Sequence, residues 1–334
     1  MFRSFFAAAL AVTATFGSAG AQAQNVVLYG LVDVSGSHSR LLGADSSRWQ
    51  LDSGNLSRSY FGFRGAEDLG GGLRAVFKLE SYFRADTGGS GRSDSDTFWG
   101  RDANLGLSGS FGTTVLGRNV TPLYLTTINF NPFGESFGFS PSTRQYFAGA
   151  VLGDRSWNNS LAYTNNARDP LRVHFVVNTP EGGTTDGRNA GLSVSYITGP
   201  FAATLAAESI KNSALPLPAG FERQTVIQAG ATYDFKLVRL YGQAGRVKTG
   251  ATVDSRTVLY QLGAAVPIQN SVILIAYGSS QTRTNSSRIT DRTFSLSYDY
   301  FLSKNTDVYV AALYEKSFNV TSGNNLAGGL RLRF

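Results

Sequence analysis

The sequence predicts an all-β protein, a 16-stranded antiparallel transmembrane β-barrel with an inward-folded third loop. Three observations predict it. Short runs of alternating apolar and polar residues fill the chain beyond residue 24, which is the period of a strand with two unlike faces. The connections alternate between short turns and long polar loops, as at the two rims of an outer-membrane barrel. The chain also opens on an export signal, yet no later stretch approaches the roughly 20 apolar residues of a spanning helix. An exported chain of this kind crosses a membrane only as a closed barrel, because lipid offers no partner to an open strand edge.

Composition agrees with that class. The 334 residues include 38 Gly, 23 Phe and 15 Tyr but one Met, and long helix-forming stretches are missing. The absence of cysteine rules out disulfides and thiolate metal sites. A formal charge of +7 would suit nucleic acid, but it is spread along the chain without a basic run or a recognition helix, so no nucleic-acid partner is expected. No cofactor or metal is called for either.

Residues 1–23 read as a secretory signal. Arg3 is the charged start, Phe5 to Val12 the apolar segment, and Ala21-Gln22-Ala23 the cleavage site, which leaves 24–334 as the barrel. In the first strand, Val26 to Ser37, Val26, Leu28, Gly30, Val32 and Val34 oppose Asp33 and Ser35. The second, Arg58 to Arg64, turns through Gly70-Gly71-Gly72 into the third, Leu73 to Arg84, where Leu73, Ala75, Phe77 and Leu79 oppose Arg74, Lys78 and Glu80. Further strands start near Phe98, Thr113, Ser156, Leu171, Asn189, Phe201, Gln224, Leu237, Arg256, Ser271, Arg292, Thr306 and Asn325. Ser271 to Tyr277 is apolar on both faces and its orientation is unreadable. Phe111, Phe201, Phe235 and Phe301 each lie beside a short turn, where they would form an interfacial girdle. The last strand alternates to its end at Phe334.

One interval breaks the pattern. From Arg118 to Asp154 neither strand nor helix period is sustained. A loop of that length in a compact domain is functional or disordered, and Phe130, Phe133, Phe137 and Phe139 are foreign to a solvated linker. Sixteen strands enclose enough space for an aqueous channel, so residues 119–153 are expected to fold inward as a constriction loop.

In order along the mature chain, Arg64-Gly65-Ala66-Glu67-Asp68-Leu69-Gly70, Arg101 with Leu105-Gly106-Leu107, Phe111-Gly112, Gly117-Arg118, Pro132-Phe133-Gly134, Ser303-Lys304 with Thr306, and the terminal Phe resemble the trimeric general porins of Gram-negative bacteria, closest to the anion-preferring betaproteobacterial type. The resemblance implies a homotrimer in the outer membrane. It also implies a third loop facing an arginine cluster, onto which Arg101 and Arg155 fall by motif. The chain departs from the pattern at Tyr60, where an Arg is usual, and at Leu332. Arg58 shares a face with position 60 and is the candidate to compensate. Phe334 resembles the signal read by the barrel-assembly machinery, and outer-membrane lipid and lipopolysaccharide are the expected surroundings.

The function expected from these residues is passive diffusion of small anionic or neutral hydrophilic solutes. The candidate constriction comprises Arg58, Tyr60, Arg101, Arg118, Glu135 and Arg155, with Pro132, Phe133 and Gly134 as the loop motif; a ring of Arg or Lys in a low-dielectric wall selects anions. The competing reading of these arginines is a wetted wall neutralised by acids. A substrate-specific sugar or organic-anion channel, with Tyr241, Phe133 or Phe137 stacking solutes, and a plugged structural or adhesive barrel are the alternatives. Catalysis is not expected, since His38 and His174 are the only histidine bases and no nucleophile elbow accompanies them. Strict alternation would set Arg101 with Ala103, Leu105 and Leu107 on the lipid face; placing it in the lumen, as the resemblance implies, would turn Asp102 and Asn104 outward. Asp86, Asp94 and Asp96 form an acidic group in a Gly-rich loop, read as a solvated loop in preference to a divalent-cation site, or, as the resemblance suggests, as a latch to a neighbouring subunit.

Overall fold

The alternation closes on itself. The computed structural model describes residues 26–166, 170–180, 187–213 and 216–334, and the expected secretory signal lies outside them. The strands, all antiparallel to their neighbours, are β1 (Val27–Arg40), β2 (Arg48–Ser53), β3 (Tyr60–Gly70), β4 (Leu73–Tyr82), β5 (Asp102–Gly109) and β6 (Gly112–Val120). After the long loop come β7 (Ser156–Thr164), β8 (Leu171–Asn178), β9 (Ala190–Thr198), β10 (Phe201–Ile210), β11 (Arg223–Asp234) and β12 (Arg239–Gly250). The barrel is completed by β13 (Ser255–Ile268), β14 (Ser271–Arg283), β15 (Arg288–Phe301), β16 (Thr306–Lys316) and β17 (Gly323–Arg333). β1 pairs with both β2 and β3, each strand from β3 onward pairs with the next, and β17 returns to β1, with Leu31 opposite Arg333 and Arg40 opposite Asn324. Gly30 and Phe334 exchange backbone hydrogen bonds of 2.9 and 3.1 Å at the seam.

The barrel has sixteen strand positions because β2 and β3 share one. β1 pairs with β2 from Val34 to Ser39 and with β3 from Val27 to Leu31, which leaves Asp33 opposite a detour at 54–59. Asp33 explains the detour. Its Oδ2 accepts from Leu56 N at 3.0 Å and Ser57 N at 2.6 Å, and its Oδ1 accepts from Tyr309 Oη at 2.8 Å. A carboxylate buried here satisfies the amides that the interrupted ladder abandons. The second strand predicted from Arg58 therefore starts earlier, at Arg48, and is broken in the middle.

The outward face is apolar, with Leu105, Leu116, Leu205, Ile227, Leu262 and Val310 exposed. The interior carries Asp33, Glu80, Glu208, Gln228, Gln243 and Gln261, all buried. Phe111, Phe201, Phe235 and Phe301 are exposed beside the short turns, as a girdle requires. β14 is resolved by what lies inside it: Leu274 and Ala276 pack on the loop residues Phe133 and Phe139, while Ile275 and Tyr277 point out.

The expectation that Asp102 and Asn104 turn outward is corrected. Arg101 belongs to a bend and precedes the ladder, which begins at Asp102 opposite Glu80, so strand alternation does not govern it. Asp102 also points inward, to Lys78 Nζ at 2.5 Å, and Ala103, Leu105 and Leu107 keep the outer face.

Candidate functional site

The segment between β6 and β7 crosses the interior. Thr121 caps α1 (Pro122–Asn129), its side chain accepting from Tyr124 N at 3.2 Å, with Pro at the first turn where no amide is missed. The chain then reverses through Pro132-Phe133-Gly134. Asn131 organises that reversal: its Nδ2 donates to Thr127 O at 2.7 Å and Gly134 O at 3.0 Å, and its Oδ1 accepts from Phe133 N at 2.9 Å. Gly134 adopts φ 54°, a left-handed conformation that glycine takes without strain. Ser140 caps α2 (Pro141–Gln145), which runs into a π-helical turn at Tyr146–Ala150.

Neutral amides on the wall hold this loop. Gln228 accepts from Thr126 Oγ1 at 2.6 Å and donates to Thr127 Oγ1 at 2.9 Å; Gln243 donates to Ser142 Oγ at 3.0 Å; Gln261 accepts from Ser142 N at 2.7 Å. Glu208 accepts from Leu123 N at 2.8 Å and Gln224 from Leu152 N at 2.9 Å. Between them the wall is hollowed at glycines. A Cβ on Gly191 would stand 3.0 Å from Pro122, on Gly230 3.1 Å from Phe130, on Gly263 2.8 Å from Pro132, and on Gly278 2.7 Å from Pro141. Gly245 makes the same kind of room for Tyr146. These wall residues were not singled out by sequence reasoning, because inward Gln and Gly are ordinary in a wet strand face.

Opposite the loop, three guanidinium groups gather around Tyr82. Arg155 lies 4.5 Å, Arg101 5.6 Å and Arg58 5.9 Å from its ring centroid. Such contacts hold a cation without neutralising it. Arg58 stacks at 3.7 Å on Phe137 of the loop, and Arg101 at 4.1 Å on Tyr60. The partners differ in kind. Arg101 donates to Glu80 at 2.9 Å and to Glu135 at 2.6 Å, so it is an ion-paired group. Arg58 and Arg155 have no carboxylate partner among the described residues; Arg155, 2% exposed, donates to Gly100 O at 3.0 Å. Burial opposes ionisation of Glu135, but Arg101, then Arg155 and Arg58, outweigh it and hold the carboxyl below the ordinary range.

The structure thus brings Arg58, Tyr60, Arg101, Glu135 and Arg155 together, with Pro132, Phe133 and Gly134 carrying Glu135 to the wall. Arg118 stands beside this group, sharing the acceptor Gly100 O with Arg155. The regular β5–β6 ladder sets it opposite Ala103, on the side of the outward Leu116, and its guanidinium bonds to Gly100 O at 2.9 Å, Asn158 at 2.6 Å and Asp154 at 3.2 Å. It lines neither cavity that borders Arg58 or Glu135. Tyr82 was missed; it ends a strand whose alternation gave it no special mark. Phe133 is buried against Leu56, Phe139 and Leu274, which makes it an anchor and not a stacking surface. Two of the three acids of the second long loop are engaged within the chain: Asp94 with Arg84, and Asp96 with Arg92 at 2.7 Å, which also reaches Asp154 at 3.0 Å.

Open volume flanks the loop on both sides. Toward the short turns lies a cavity of 1010 Å³ bordered by Arg64, Lys78, Arg172, His174 and Arg239, with Asp102 as its one carboxylate. Toward the long loops lies one of 330 Å³ bordered by Arg40, Arg58, Arg84, Arg92 and Arg144, with Glu315. Cations outnumber carboxylates in the linings of both cavities.

A closed cylinder that is apolar outside, polar within and crossed by its own loop between two aqueous vestibules is a transmembrane channel of the outer-membrane kind. A family model described as Gram-negative porin matches residues 7–319. The chain is 32% identical to outer membrane porin protein 32 of Delftia acidovorans over 90% of its length and 86% of that protein's. It superposes on the anion-selective porin from Comamonas acidovorans with TM-score 0.82 and 26% identity, covering 93% of this chain and 100% of that one. At 15% identity, the trimer form of in-vitro folded OmpT from Vibrio cholerae shares the fold with TM-score 0.71, over 93% and 99% of the two chains. The chain belongs to the Gram-negative porin family, and its place is the outer membrane.

Proposed function

We propose that this porin is a passive general diffusion channel for small hydrophilic solutes, that it prefers anions, and that it works as a homotrimer. The observation that carries the preference is the unequal pairing of the cluster. Glu80 and Glu135 both bond to Arg101, so three guanidinium groups face two carboxylates and the cluster keeps a net charge of +1, on the side of Arg58 and Arg155, which have no carboxylate bonded to them among the described residues. Arg155 is buried behind Tyr82, so it acts through its field, which low-dielectric walls focus into the water-filled path. A charge that attracts without offering a hydrogen bond to solute favours entry without trapping.

Support comes from the likeness to a porin described as anion-selective and, for the trimer, from the fold shared with OmpT. The test is the reversal potential of planar-bilayer channels under a KCl gradient. Anion preference is expected, with Arg58→Gln and Arg155→Ala each shifting it toward cations. Cation preference in the wild type would overturn the reading, and absence of conductance would favour an adhesive barrel. Mobility of the unboiled protein on gels tests the trimer, a monomer band in mild detergent counting against it.

A further inference from the structure

The vestibule on the short-turn side has an apolar strip on its wall that a water-filled path does not call for. Ala66 of β3, Val76 of β4, Gly106 of β5, Val115 of β6, Ala162 of β7 and Val176 of β8 stand directly opposite one another in turn, one row across six strands. By contrast, the inward residues of β15, Thr293, Ser295, Ser297 and Asp299, are all polar. Seating of the loop accounts for one end of the row, where Leu123 of α1 clusters with the buried Ala162 and Val176. It does not account for the other. Ala66, Val76 and Val115 border the 1010 Å³ cavity, and Leu125 of α1 borders it from the loop side.

Charge lies along one edge of the strip. Arg64 and Lys78 are directly opposite each other, two residues from Ala66 and Val76 toward the constriction, about 7 Å along the strands. Lys78 is paired with Asp102 at 2.5 Å. Arg64 lies 4.9 Å from the ring centroid of Tyr29 and has no carboxylate bonded to it among the described residues. A stacked guanidinium keeps its fork of donors for a planar carboxylate. An apolar floor with a few convergent polar groups is the usual make-up of a small-molecule site. One uncompensated cation matches one negative charge, and a second would meet Asp102 in the same cavity. A hydrated inorganic anion gains nothing from Val76 and Val115, whereas a hydrocarbon ring leaves water by covering them.

We propose that this vestibule holds a subsite for amphipathic monocarboxylates, which lay an aromatic ring on Val76 and Val115 and present the carboxylate to Arg64 beside Lys78. The subsite rests on the reading of this chain as a diffusion channel and names a solute class that the channel detains in passage. Arg58, Arg101 and Arg155 do not border it. The constriction sets the sign of the preferred charge, and the strip ranks the anions that pass.

Block of KCl conductance in planar bilayers, titrated from each side with benzoate, nicotinate and benzamide, reads occupancy of the strip. Benzoate and nicotinate share shape and charge but differ in ring polarity, and benzamide lacks the charge. Benzoate is expected to block at the lowest concentration. Val76→Thr with Val115→Thr keeps side-chain shape and exchanges a methyl for a hydroxyl at each position. It should raise the half-blocking concentration of benzoate roughly tenfold and that of nicotinate far less. Arg64→Gln should weaken both carboxylates alike. Equal block by benzoate and nicotinate, equal block by benzoate and benzamide, no block by benzoate, or a benzoate titration unchanged in the double variant would overturn the subsite. Failure of the channel reading shows separately, as cation preference or absent conductance in KCl before any carboxylate is added. Should the double variant not insert, the three-solute comparison on the wild-type protein decides alone.

Discussion

Nη1 of Arg101 lies 2.6 Å from Oε2 of Glu135, so the wall and the loop that crosses the bore are joined by an ion pair. Glu135 is thereby both an anchor and a brake on the positive field. Glu135→Gln should raise the anion-to-cation permeability ratio roughly fivefold, the equivalent of about 1 kcal/mol for one charge acting across a wet gap. Reversal potentials before and after the substitution check this; an unchanged ratio would mean that Glu80 alone neutralises Arg101.

The same pair sets a pH dependence. Glu135 is held below its ordinary 4.5, so its charge persists as pH falls to that value, and this pair should contribute no change in selectivity from neutrality to there. Only below it should protonation strengthen anion preference. Asp154, in the loop before β7, is resisted by burial but drawn down from 3.8 to about 2 by Arg92. Its contribution, on the order of 2 kcal/mol, is full above its unfolded value and lost as pH drops through the folded one. Protection of the amides of residues 92–97, relative to their intrinsic exchange rates, should therefore be high at pH 5 and fall toward pH 2.

Gly263→Leu tests how the loop is seated. The new side chain would meet Pro132 at 2.8 Å and the Ile275 carbonyl at 3.0 Å, an overpacking worth about 1 to 3 kcal/mol. The barrel should still form, with unaltered heat-dependent gel mobility, but the loop should be displaced. Single-channel conductance should rise or become noisy; a wild-type trace would show that the socket is not required.

Asp33→Ala removes the acceptor for Leu56 N, Ser57 N and Tyr309 Oη. Each abandoned buried donor costs about 1 to 3 kcal/mol, so the detour at 54–59 should loosen and carry Arg58 off Phe137. A lower unfolding midpoint and reduced anion preference are expected together, and Asp33→Asn, which keeps an acceptor, should recover part of both.

The barrel was legible because its strands have two unlike solvents, and a period of two records that difference residue by residue. Where the solvent is not lipid or water the signal fails. β14 is apolar on both faces because its inner side meets Phe133 and Phe139, not water. Arg101 defied alternation because it sits one residue before the ladder, whereas Arg118 kept to it, at the outward parity of Leu116. The loop's inward course followed from its aromatics. Its exact partners did not, since Gln228, Gln243 and the wall glycines acquire meaning only once distant strands are side by side.

Gly191, Gly230, Gly245, Gly263 and Gly278 belong to β9, β11, β12, β13 and β14, all later in the chain than the helix turns and prolines they receive. During biogenesis the crossing segment consequently has no berth until the second half of the protein has been inserted and zipped into register. Its docking is a terminal event, and a polypeptide halted midway would carry that greasy tract unsheltered, a natural handle for periplasmic quality control.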